Sequence, residues 1–384
     1  MFYMEKIIYV DHSATTYVKK EVLKEMLPYF TEKYGNASSI YSKGIESKEA
    51  IEKARNQVSD AIGCCECEIY FTAGGSESDN LALLGISRAN KHKGNHIITT
   101  KIEHLGILET CKRLEKEGFE VTYLDVDSKG LIDIEDVKRA IKSTTILISI
   151  MFANNEIGTL QPIEAIGKIA RCRGVYFHTD AVQAIGNVHI DIEKMCIDSL
   201  SLSAHKFYGP KGVGALYIRN GIKFNSIITG GHQEQNKRAG TENVPGIVGL
   251  GAAIELANDN IDCYNEKLYE LREYCIDLIM NNIPGIILNG HRNKRLPGNI
   301  NISIKGIQIG TLLLMLNDAG ICASGGSACT SGSSKPSHVL VAIGMKPDTS
   351  NCSLRITLGE ENTFEDIDYI VCNLDKIVSK LRKI

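Results

Sequence analysis

The stretch "ILISIMFANNEIGTLQPIEAIGKIARCRGVYFHTDAVQ", residues 146–183, decides the fold class of this chain. It starts with an apolar run at 146–153, passes through a helix-like segment at 163–174, and returns to an apolar run at 175–178. Apolar strands that are separated by helices are typical of a mostly parallel sheet buried on both faces. The stretch therefore predicts an α/β fold.

The same alternation of strands and helices extends through the first two-thirds of the chain and weakens after about residue 255. From there, residues 264–280 have the three- and four-residue apolar spacing of an amphipathic helix. Strand candidates follow at 299–304 and 352–358, and a closing helix begins at about Glu365. This second pattern predicts a separate, smaller α+β region.

The length of the chain also favours two domains. Its 384 residues exceed the size of about 250–300 residues at which a single hydrophobic core stops growing. We predict a large domain at 15–255 and a small domain formed by 1–14 and 256–384.

Composition narrows the classes of function. Hydrophobic residues make up 43% of the chain, charged residues 23%, and the formal net charge is -3. The chain lacks the basic excess that direct nucleic-acid binding needs. It has no apolar run near the roughly 18 residues of a membrane span, and its start has no export signal. We therefore expect a cytoplasmic protein whose twelve cysteines are mostly free thiols.

The informative polar clusters each follow a predicted strand directly. Ligands of open α/β sheets bind outside the carboxyl ends of the strands, so we expect these clusters to converge on one site. In chain order they are "AGGSESDN" (73–80), "KIEH" (101–104), "NNEIG" (154–158), "TDAVQ" (179–183) and "AHK" (204–206).

Each cluster has an ordinary and a functional interpretation. The glycines before Ser76 form either a turn with a helix cap or an anion cradle of backbone N–H groups. Asp180 either caps a helix or keeps a heterocyclic nitrogen protonated. His104 is either a surface or core histidine or a ring that stacks on a cofactor and moves protons. Lys206 is either a solvated lysine or a reactive amine. Together, the functional interpretations describe pyridoxal phosphate held as a Schiff base.

An ordered set of motifs covers nearly the whole chain. It includes "GNASS", "FTAGGSESDN", "ANNEIGTLQPI", "HTDAVQAIG", "SAHKFYGPKGVG", "RAGTENVPGIVG", "GGSACTSGS" and "SLRITLG". This set resembles the motifs of the NifS/IscS-type cysteine desulfurases, which are class V pyridoxal-phosphate enzymes with the aminotransferase-like fold (fold type I). The resemblance implies conversion of L-cysteine to L-alanine with transfer of sulfur to an enzyme cysteine.

The resemblance also implies how the cofactor ring is held. Lys206 would form the Schiff base, Asp180 would pair with the pyridine nitrogen, and His104 would stack on the ring. Asn155 and Gln183 would contact the ring oxygen.

The resemblance places the phosphate and the substrate at further positions. Thr241 would reach the phosphate from the second subunit of a homodimer, and Asn36 and Arg355 would clamp the substrate carboxylate. The other residues implied at the phosphate are Gly75, Ser76, Ser203 and His205.

Cys329 lies in the Gly- and Ser-rich stretch at about 322–337 and distinguishes a desulfurase from an aminotransferase. Its thiolate would attack the substrate sulfur and become a persulfide. A sulfur-acceptor protein is then implied, either an iron–sulfur scaffold or a tRNA-thiolating enzyme. Cys322 could form a disulfide with Cys329 or be a core thiol.

Other interpretations stay open at this point. A selenocysteine lyase or a class V aminotransferase would have a similar cofactor site, and a non-catalytic sulfur carrier or scaffold would need only the cysteine-bearing loop. The segment "CCEC" (64–67) has a C-x2-C spacing but lacks the further ligands of a tetrahedral metal site. We therefore predict no metal.

Overall fold

The computed structural model describes residues 7–325, 336–346 and 352–383. Short turns of 3-10 helix at Glu66–Glu68 and Ala204–Lys206 accompany the strands and α-helices. The strands are β1 (Ile8–Tyr9), β2 (Ile69–Thr72), β3 (His96–Thr100), β4 (Glu120–Leu124), β5 (Thr145–Ser149), β6 (Tyr176–Asp180), β7 (Ser199–Ser203), β8 (Gly214–Ile218), β9 (Ile286–Leu288), β10 (Asn299–Ile304), β11 (Ile321–Cys322), β12 (Ser324–Gly325) and β13 (Ser353–Thr357).

The strands of the described residues form a seven-stranded sheet, a four-stranded sheet and a two-stranded parallel sheet of β1 and β11. The bounds of the α-helices follow in chain order. They are α1 (Lys20–Met26), α2 (Pro28–Thr31), α3 (Ser42–Ile62), α4 (Gly75–Ala89), α5 (Leu105–Lys116), α6 (Ile134–Ala140), α7 (Ile163–Arg173), α8 (Gln233–Asn236), α9 (Val244–Asp259), α10 (Ile261–Asn282), α11 (Ile309–Asp318), α12 (His338–Ala342) and α13 (Phe364–Leu381). None of the helices within the described residues is both long and apolar enough to cross a membrane.

The large sheet has seven strands in the order β2-β8-β7-β6-β5-β3-β4 within the described chain. The strands from β4 to β7 run parallel, and β8 runs antiparallel to both of its neighbours. Successive residues of β5 face opposite sides, because Leu147 packs with the α4–α5 side and Ile148 with the α3–α9 side. Both faces are therefore buried, and the predicted mostly parallel sheet is confirmed.

The second sheet is antiparallel, in the order β12-β13-β10-β9. Its apolar cluster combines residues of α10, α11 and α13 with Ile8 and Val10 from the start of the chain. The helix predicted at 264–280 lies within α10, and the strand predicted at 299–304 matches β10. The domain boundaries at 15–255 and at 1–14 with 256–384 stay a prediction.

Two details differ from the sequence expectation. The strand expected at 146–153 is shorter in the structure, because β5 ends at Ser149. The chain continues from there toward the ends of the neighbouring strands. The edge strand β4 has no strong apolar pattern, because most of its residues are half-buried or exposed. Sequence periodicity therefore found the central strands and missed the edge strand β4.

Candidate active site

The polar clusters converge at the carboxyl ends of the parallel strands. They line a cavity of about 360 Å³. The ordinary interpretation of each cluster, a local turn or cap, does not require this convergence, whereas a common ligand does. The cavity is lined by Ser13, Ala14, Gly75, Ser76, Asp79, His104, Met151, Asn155, Asp180, Val182, Gln183, Ser203, His205, Lys206 and Arg355.

Lys206 directs its amine into this cavity and not into bulk solvent. It follows β7 at the end of the 3-10 turn Ala204–Lys206 and is half-buried. Its Nζ donates hydrogen bonds to the backbone carbonyls of Ala14, at 2.7 Å, and of Ser13. The start of the chain thus holds the amine at the edge of the cavity.

Asp180 lies at the end of β6 and is 6% exposed. Its Oδ1 accepts a hydrogen bond from the backbone N–H of Val182 at 2.9 Å. Burial raises the pKa of Asp180 above its usual value, and His104 and Lys206 oppose this effect. A carboxylate buried here is stabilised by a cationic partner, and a protonated pyridine nitrogen would be one.

His104 caps the first turn of α5 and is half-buried against the cavity. The backbone N–H of Gly106 donates to its Nδ1 at 3.1 Å. Because Nδ1 accepts this bond, the neutral ring carries its hydrogen on Nε2. The cap therefore fixes both the orientation of the ring and the nitrogen that can exchange a proton.

The anion end of the cavity is formed where α4 begins. The residue that precedes this helix is Gly74, which has no capping side chain, so the first backbone N–H groups are available to an anion. A Cβ at Gly75 would lie 2.6 Å from Val182 Cγ2. Glycine thus allows the close packing of α4 on the strand ends beside Ser203.

His205 faces the same end and is neutral at ordinary pH. Its Nδ1 lies 3.1 Å from Thr15 Oγ1. Burial lowers the pKa of His205 to about 4, and the positive charges of Lys206 and Lys211 add to the effect. A neutral imidazole can donate one hydrogen bond to a phosphate oxygen without adding charge.

Arg355 and two amides line the opposite side. The guanidinium of Arg355 is 1% exposed and donates to Asp11 Oδ1 at 2.8 Å and to the carbonyl of Asn155 at 3.0 Å. Gln183 Nε2 donates to the Ser13 carbonyl at 3.0 Å. Arg355 is therefore a pre-oriented cation at the cavity wall, suited to a carboxylate.

Asp79 is the ionisable residue of the cavity that sequence reasoning missed; the other unpredicted lining residues are Ser13, Ala14, Met151 and Val182. It is 1% exposed, its Oδ1 has no hydrogen-bond partner among the described residues, and its carboxylate lies within 4.8 Å of the ligand atoms of His104 and Asp180. Burial and the charge of Asp180 raise the pKa of Asp79 well above its usual value. The helical spacing from Ser76 to Asp79 was the available signal, since residues three apart share a helix face.

Asn36 and Thr241 are not among the residues that line the cavity. Both are exposed, and Asn36 Oδ1 accepts a hydrogen bond from the backbone N–H of Ser38 at 2.9 Å. Their neighbours share a second concavity of about 760 Å³, which we name the loop groove. Its lining includes Ala37, Ser38, Arg55, Cys67, His232, Gln233, Glu234 and Glu242. Cys329 lies outside the described residues.

The donors in the cavity fit pyridoxal phosphate. An amine, a buried carboxyl that needs a cationic partner, an imidazole of fixed orientation and an anion cradle lie around one space. These are the groups that bind its aldehyde, ring nitrogen, ring face and phosphate.

Comparison with known proteins agrees with this chemistry. The model of the family described as Aminotransferase class-V matches residues 8–370. The chain is therefore a pyridoxal-phosphate-dependent enzyme of this family.

Relatives and solved structures narrow the class. The cysteine desulfurase IscS of Clostridium botulinum is 57% identical over 382 residues, 99% of this chain and 96% of the relative. The cysteine desulfurase IscS of Methanosarcina thermophila is 55% identical over 377 residues, 98% of this chain and 93% of the relative. A solved NifS-like protein matches with a TM-score of 0.92 and 38% identity, over 98% of this chain and 100% of its own. The chain belongs to the cysteine desulfurases of the IscS/NifS type.

Proposed function

We propose that the cavity around Lys206 holds pyridoxal phosphate and performs the desulfuration of L-cysteine, with the residue roles given below. The observation that carries this proposal is the convergence of Lys206, Asp180, His104 and the start of α4 on one cavity. When bound, the cofactor supplies an electron sink that weakens the bonds next to the amino group of the substrate.

The polar side chains divide the binding of the cofactor among them. Lys206 would attach the cofactor through Nζ, and the Asp180 carboxylate would pair with the ring nitrogen. His104 would pack on the ring and could exchange a proton through Nε2. The backbone N–H groups of Gly75 and Ser76 would hold the phosphate, because the positive helix end favours an anion. Ser203 and His205 add hydroxyl and imidazole donors.

The substrate lies between the cofactor and Arg355. The guanidinium pairs with the carboxylate of L-cysteine, because Asp11 and Asn155 already hold its orientation. Asn155 and Gln183 would provide amide donors for the ring oxygen. Lys206 Nζ would hold and move protons at the substrate carbons.

Cys329 accepts the sulfur. Its thiolate attacks the substrate sulfur, the carbon–sulfur bond breaks, and its electron pair stays with carbon, which is protonated to give L-alanine. The enzyme keeps Cys329–S–SH, and no external oxidant or reductant is needed. This assignment rests on the motif "GGSACTSGS". The persulfide is the donor to an acceptor protein, an iron–sulfur scaffold or a tRNA-thiolating enzyme in the cytoplasm.

A homodimer completes the site. An exposed apolar surface covers the region before and after Asn36, and contiguous apolar patches of this kind mark interaction sites. Thr241 and Asn36, exposed in one chain, then reach the site of the second chain, Thr241 toward the phosphate and Asn36 toward the carboxylate. The apolar residues are Leu23, Leu27, Phe30, Tyr34, Ile40, Tyr41 and Ile45.

The experiment is incubation of the purified holoenzyme with L-cysteine, with and without a reductant, followed by measurement of alanine and sulfide. We expect alanine in both cases, and sulfide mainly with the reductant, because the sulfur otherwise stays bound to protein. Sulfide release with pyruvate and without alanine would contradict the proposal. A colourless protein that takes up no pyridoxal phosphate would contradict it as well.

A further inference from the structure

Two buried serines, Ser324 and Ser337, donate hydrogen bonds to carboxylates near the Arg355 guanidinium. Ser324 Oγ donates to Asp11 Oδ2 at 2.5 Å, and Ser337 Oγ donates to Glu156 Oε2 at 2.5 Å. Each serine is 9% exposed. Hydrogen bonds from a hydroxyl to a carboxylate are roughly twice as strong as those between neutral groups. The two serines are therefore firmly attached to the surroundings of one cation.

The bond of Ser324 joins three separate segments of the chain. Asp11 comes from the start of the chain, and its Oδ1 accepts a hydrogen bond from Arg355 Nη2 at 2.8 Å. Ser324 also pairs with Arg355 in the ladder between β12 and β13. The Ser324 hydroxyl bonds to a residue 313 positions earlier, so it serves tertiary structure and not a local turn.

The hydroxyl of Ser337 both accepts and donates. Its oxygen caps α12 by accepting from the backbone N–H of Leu340 at 3.2 Å, and its hydrogen goes to Glu156. The cap needs only the oxygen. Glu156 is 2% exposed and follows Asn155, whose carbonyl accepts from Arg355 at 3.0 Å. The second bond of Ser337 thus attaches the start of α12 to the wall that holds this guanidinium.

The helix that follows Ser337 packs on the loops of the cofactor cavity. His338 Nε2 lies 2.9 Å from the carbonyl of Glu103, the residue before His104. The apolar side chains of α12 and the residue after it join those of the same loops in one buried cluster. Its members are Ile102, Met151, Ile157, Val339, Leu340 and Ile343. The start of α12 is therefore held by the large sheet's loops.

The two serines lie on either side of Cys329 in the sequence. Cys329, which is outside the described residues, comes five positions after Ser324 and eight before Ser337. Five residues of fully extended chain span at most about 18 Å, so the attachment of Ser324 alone limits the distance from Cys329 to Arg355. Attachment of the second end removes further conformational freedom, which the chain would otherwise lose when the thiolate meets the substrate.

We propose that Ser324 and Ser337 are positioning residues for sulfur transfer, because they fix both ends of the chain around Cys329 at the substrate carboxylate. The inference rests on the proposed function, since it concerns the attack of the Cys329 thiolate on the substrate sulfur. The serines touch neither sulfur and act through Asp11 and Glu156. Loss of either bond should therefore slow sulfur transfer and leave the chemistry at the cofactor unchanged.

The test compares sulfur transfer with a reaction that needs no thiol. Alanine formed in a single turnover of the holoenzyme with L-cysteine measures sulfur transfer. Exchange of the α-hydrogen of L-alanine in deuterium oxide, followed by NMR, measures Lys206, the cofactor and carboxylate binding. Ser324→Ala and Ser337→Ala should each slow alanine formation about 10-fold, within the range that misplacement of a reacting group costs. The α-hydrogen should exchange at the wild-type rate.

A structural measurement accompanies the kinetic one. Backbone amide exchange of the peptide 338–346 should become faster in Ser337→Ala, because the start of α12 is released from Glu156. Ser337→Thr keeps the hydroxyl and should restore both the slow amide exchange and most of the sulfur-transfer rate. Thr363→Ala is the matched control, since Thr363 caps α13 through the backbone N–H of Asp366. This variant should leave both rates and the peptide 338–346 unchanged.

The inference is overturned if either alanine variant forms alanine from L-cysteine at the wild-type rate, or if amide exchange at 338–346 is unchanged in Ser337→Ala. It is also overturned if the α-hydrogen exchange slows as much as sulfur transfer, since the serines would then support the cavity as a whole. A wild-type enzyme that forms no persulfide on Cys329 would overturn the proposed function, and this inference with it.

Discussion

The cofactor cavity and the loop groove are both concave, but they are built in different ways. Residues of the cavity follow buried strands, and their polar atoms are held by the backbone, as Asp180 is by Val182 and Lys206 is by Ala14. The loop groove is lined by residues of α3 and by loops near Asn36 and Thr241. Neither Asn36 nor Thr241 is among the residues that line the cavity of its own chain. This difference supports our proposal that one chain builds the floor of the site and that a second chain supplies its other wall.

A buried ion pair between Arg55 and Glu234 holds one part of the loop groove in place. Two parallel hydrogen bonds of 2.9 Å join the side chains, and Glu234 also accepts from the backbone N–H of Phe71 at 2.8 Å. Residues Glu234, Gln235 and Asn236 all have positive φ, of 45°, 55° and 66°. Non-glycine residues adopt this conformation only where surrounding contacts hold it. The pair therefore shapes the loop that continues to Thr241.

The largest effect is expected at the cavity, for Lys206→Ala. No other amine takes the place of Nζ, so turnover should be lost completely, together with the absorbance of the lysine-bound cofactor. The measurement is the visible spectrum of the purified protein alongside alanine production. Lys211→Ala is the control and should keep the chromophore. If Lys211→Ala lost the chromophore and Lys206→Ala kept it, the cofactor would be attached to Lys211 and not to Lys206.

Asp180→Asn should keep weak cofactor binding and lower kcat about 100-fold or more, the scale of removing one preorganised electrostatic contact. An amide cannot stabilise the protonated ring nitrogen. The measurement is kcat at saturating cofactor. Asn187→Ala, at a half-buried amide outside this cavity, is the control. Full activity of Asp180→Asn would mean that another residue stabilises the protonated ring nitrogen, and Asp79 would be the first candidate.

In the loop groove, Glu234→Gln should lower the free energy of unfolding by about 3 kcal/mol, because the buried Arg55 charge keeps only the half-exposed Glu52, at 3.3 Å, as its ion-pair partner. Chemical denaturation measures the change. Glu135→Gln breaks an exposed ion pair with Lys138 and should cost less than about 1 kcal/mol. If the two substitutions lowered the free energy of unfolding equally, the Arg55–Glu234 pair would stabilise the fold no more than an exposed ion pair does.

Below the cavity floor, His178 makes the stability of the fold sensitive to acid. It is fully buried between Ser149 Oγ, at 2.9 Å, and Ser201 Oγ, at 3.0 Å, and burial lowers its pKa to about 3. Between about pH 6.5 and pH 3 the unfolded chain binds a proton that the folded chain does not. This histidine therefore removes stability as the pH falls, by roughly 1.4 kcal/mol per pH unit.

His178→Gln should remove the contribution of this histidine to the pH dependence of the free energy of unfolding. The glutamine amide can keep one of the two hydrogen bonds to Ser149 and Ser201. The measurement is the free energy of unfolding at several pH values between 4 and 6.5, compared with wild type. The exposed His189→Gln is the control, and its curve should follow the wild type. An unchanged slope in His178→Gln would show that the fold accepts a charged imidazole at this position.

The sequence predicted the cavity better than the loop groove for a physical reason. Buried strands leave apolar runs, and the polar residues that follow them, such as Asp180 and Lys206, are visible as the points where the runs end. Asp79 was missed because it lies one helical turn inside α4 and not at a strand end. The Arg55–Glu234 pair joins residues 179 positions apart, and no local pattern records such a contact.

Sequence patterns also failed at the margins of the sheets. The two-residue strands β1, β11 and β12 are too short to show a period. β1 and β11, far apart in the sequence, pair with each other, and β12 pairs with β13. These elements depend on tertiary pairing. These short strands are recognised only by their pairing in the folded structure.

The measurement that tests the account most directly is the location of sulfur on the enzyme after a single turnover with L-cysteine. Peptide mass spectrometry should find one added sulfur on the wild-type peptide that contains Cys329. Cys329→Ser should still bind pyridoxal phosphate, form no persulfide and release no alanine, because a hydroxyl does not accept sulfur. Cys322→Ser is the matched control and should remain largely active. Alanine release by Cys329→Ser at the wild-type rate would contradict the account.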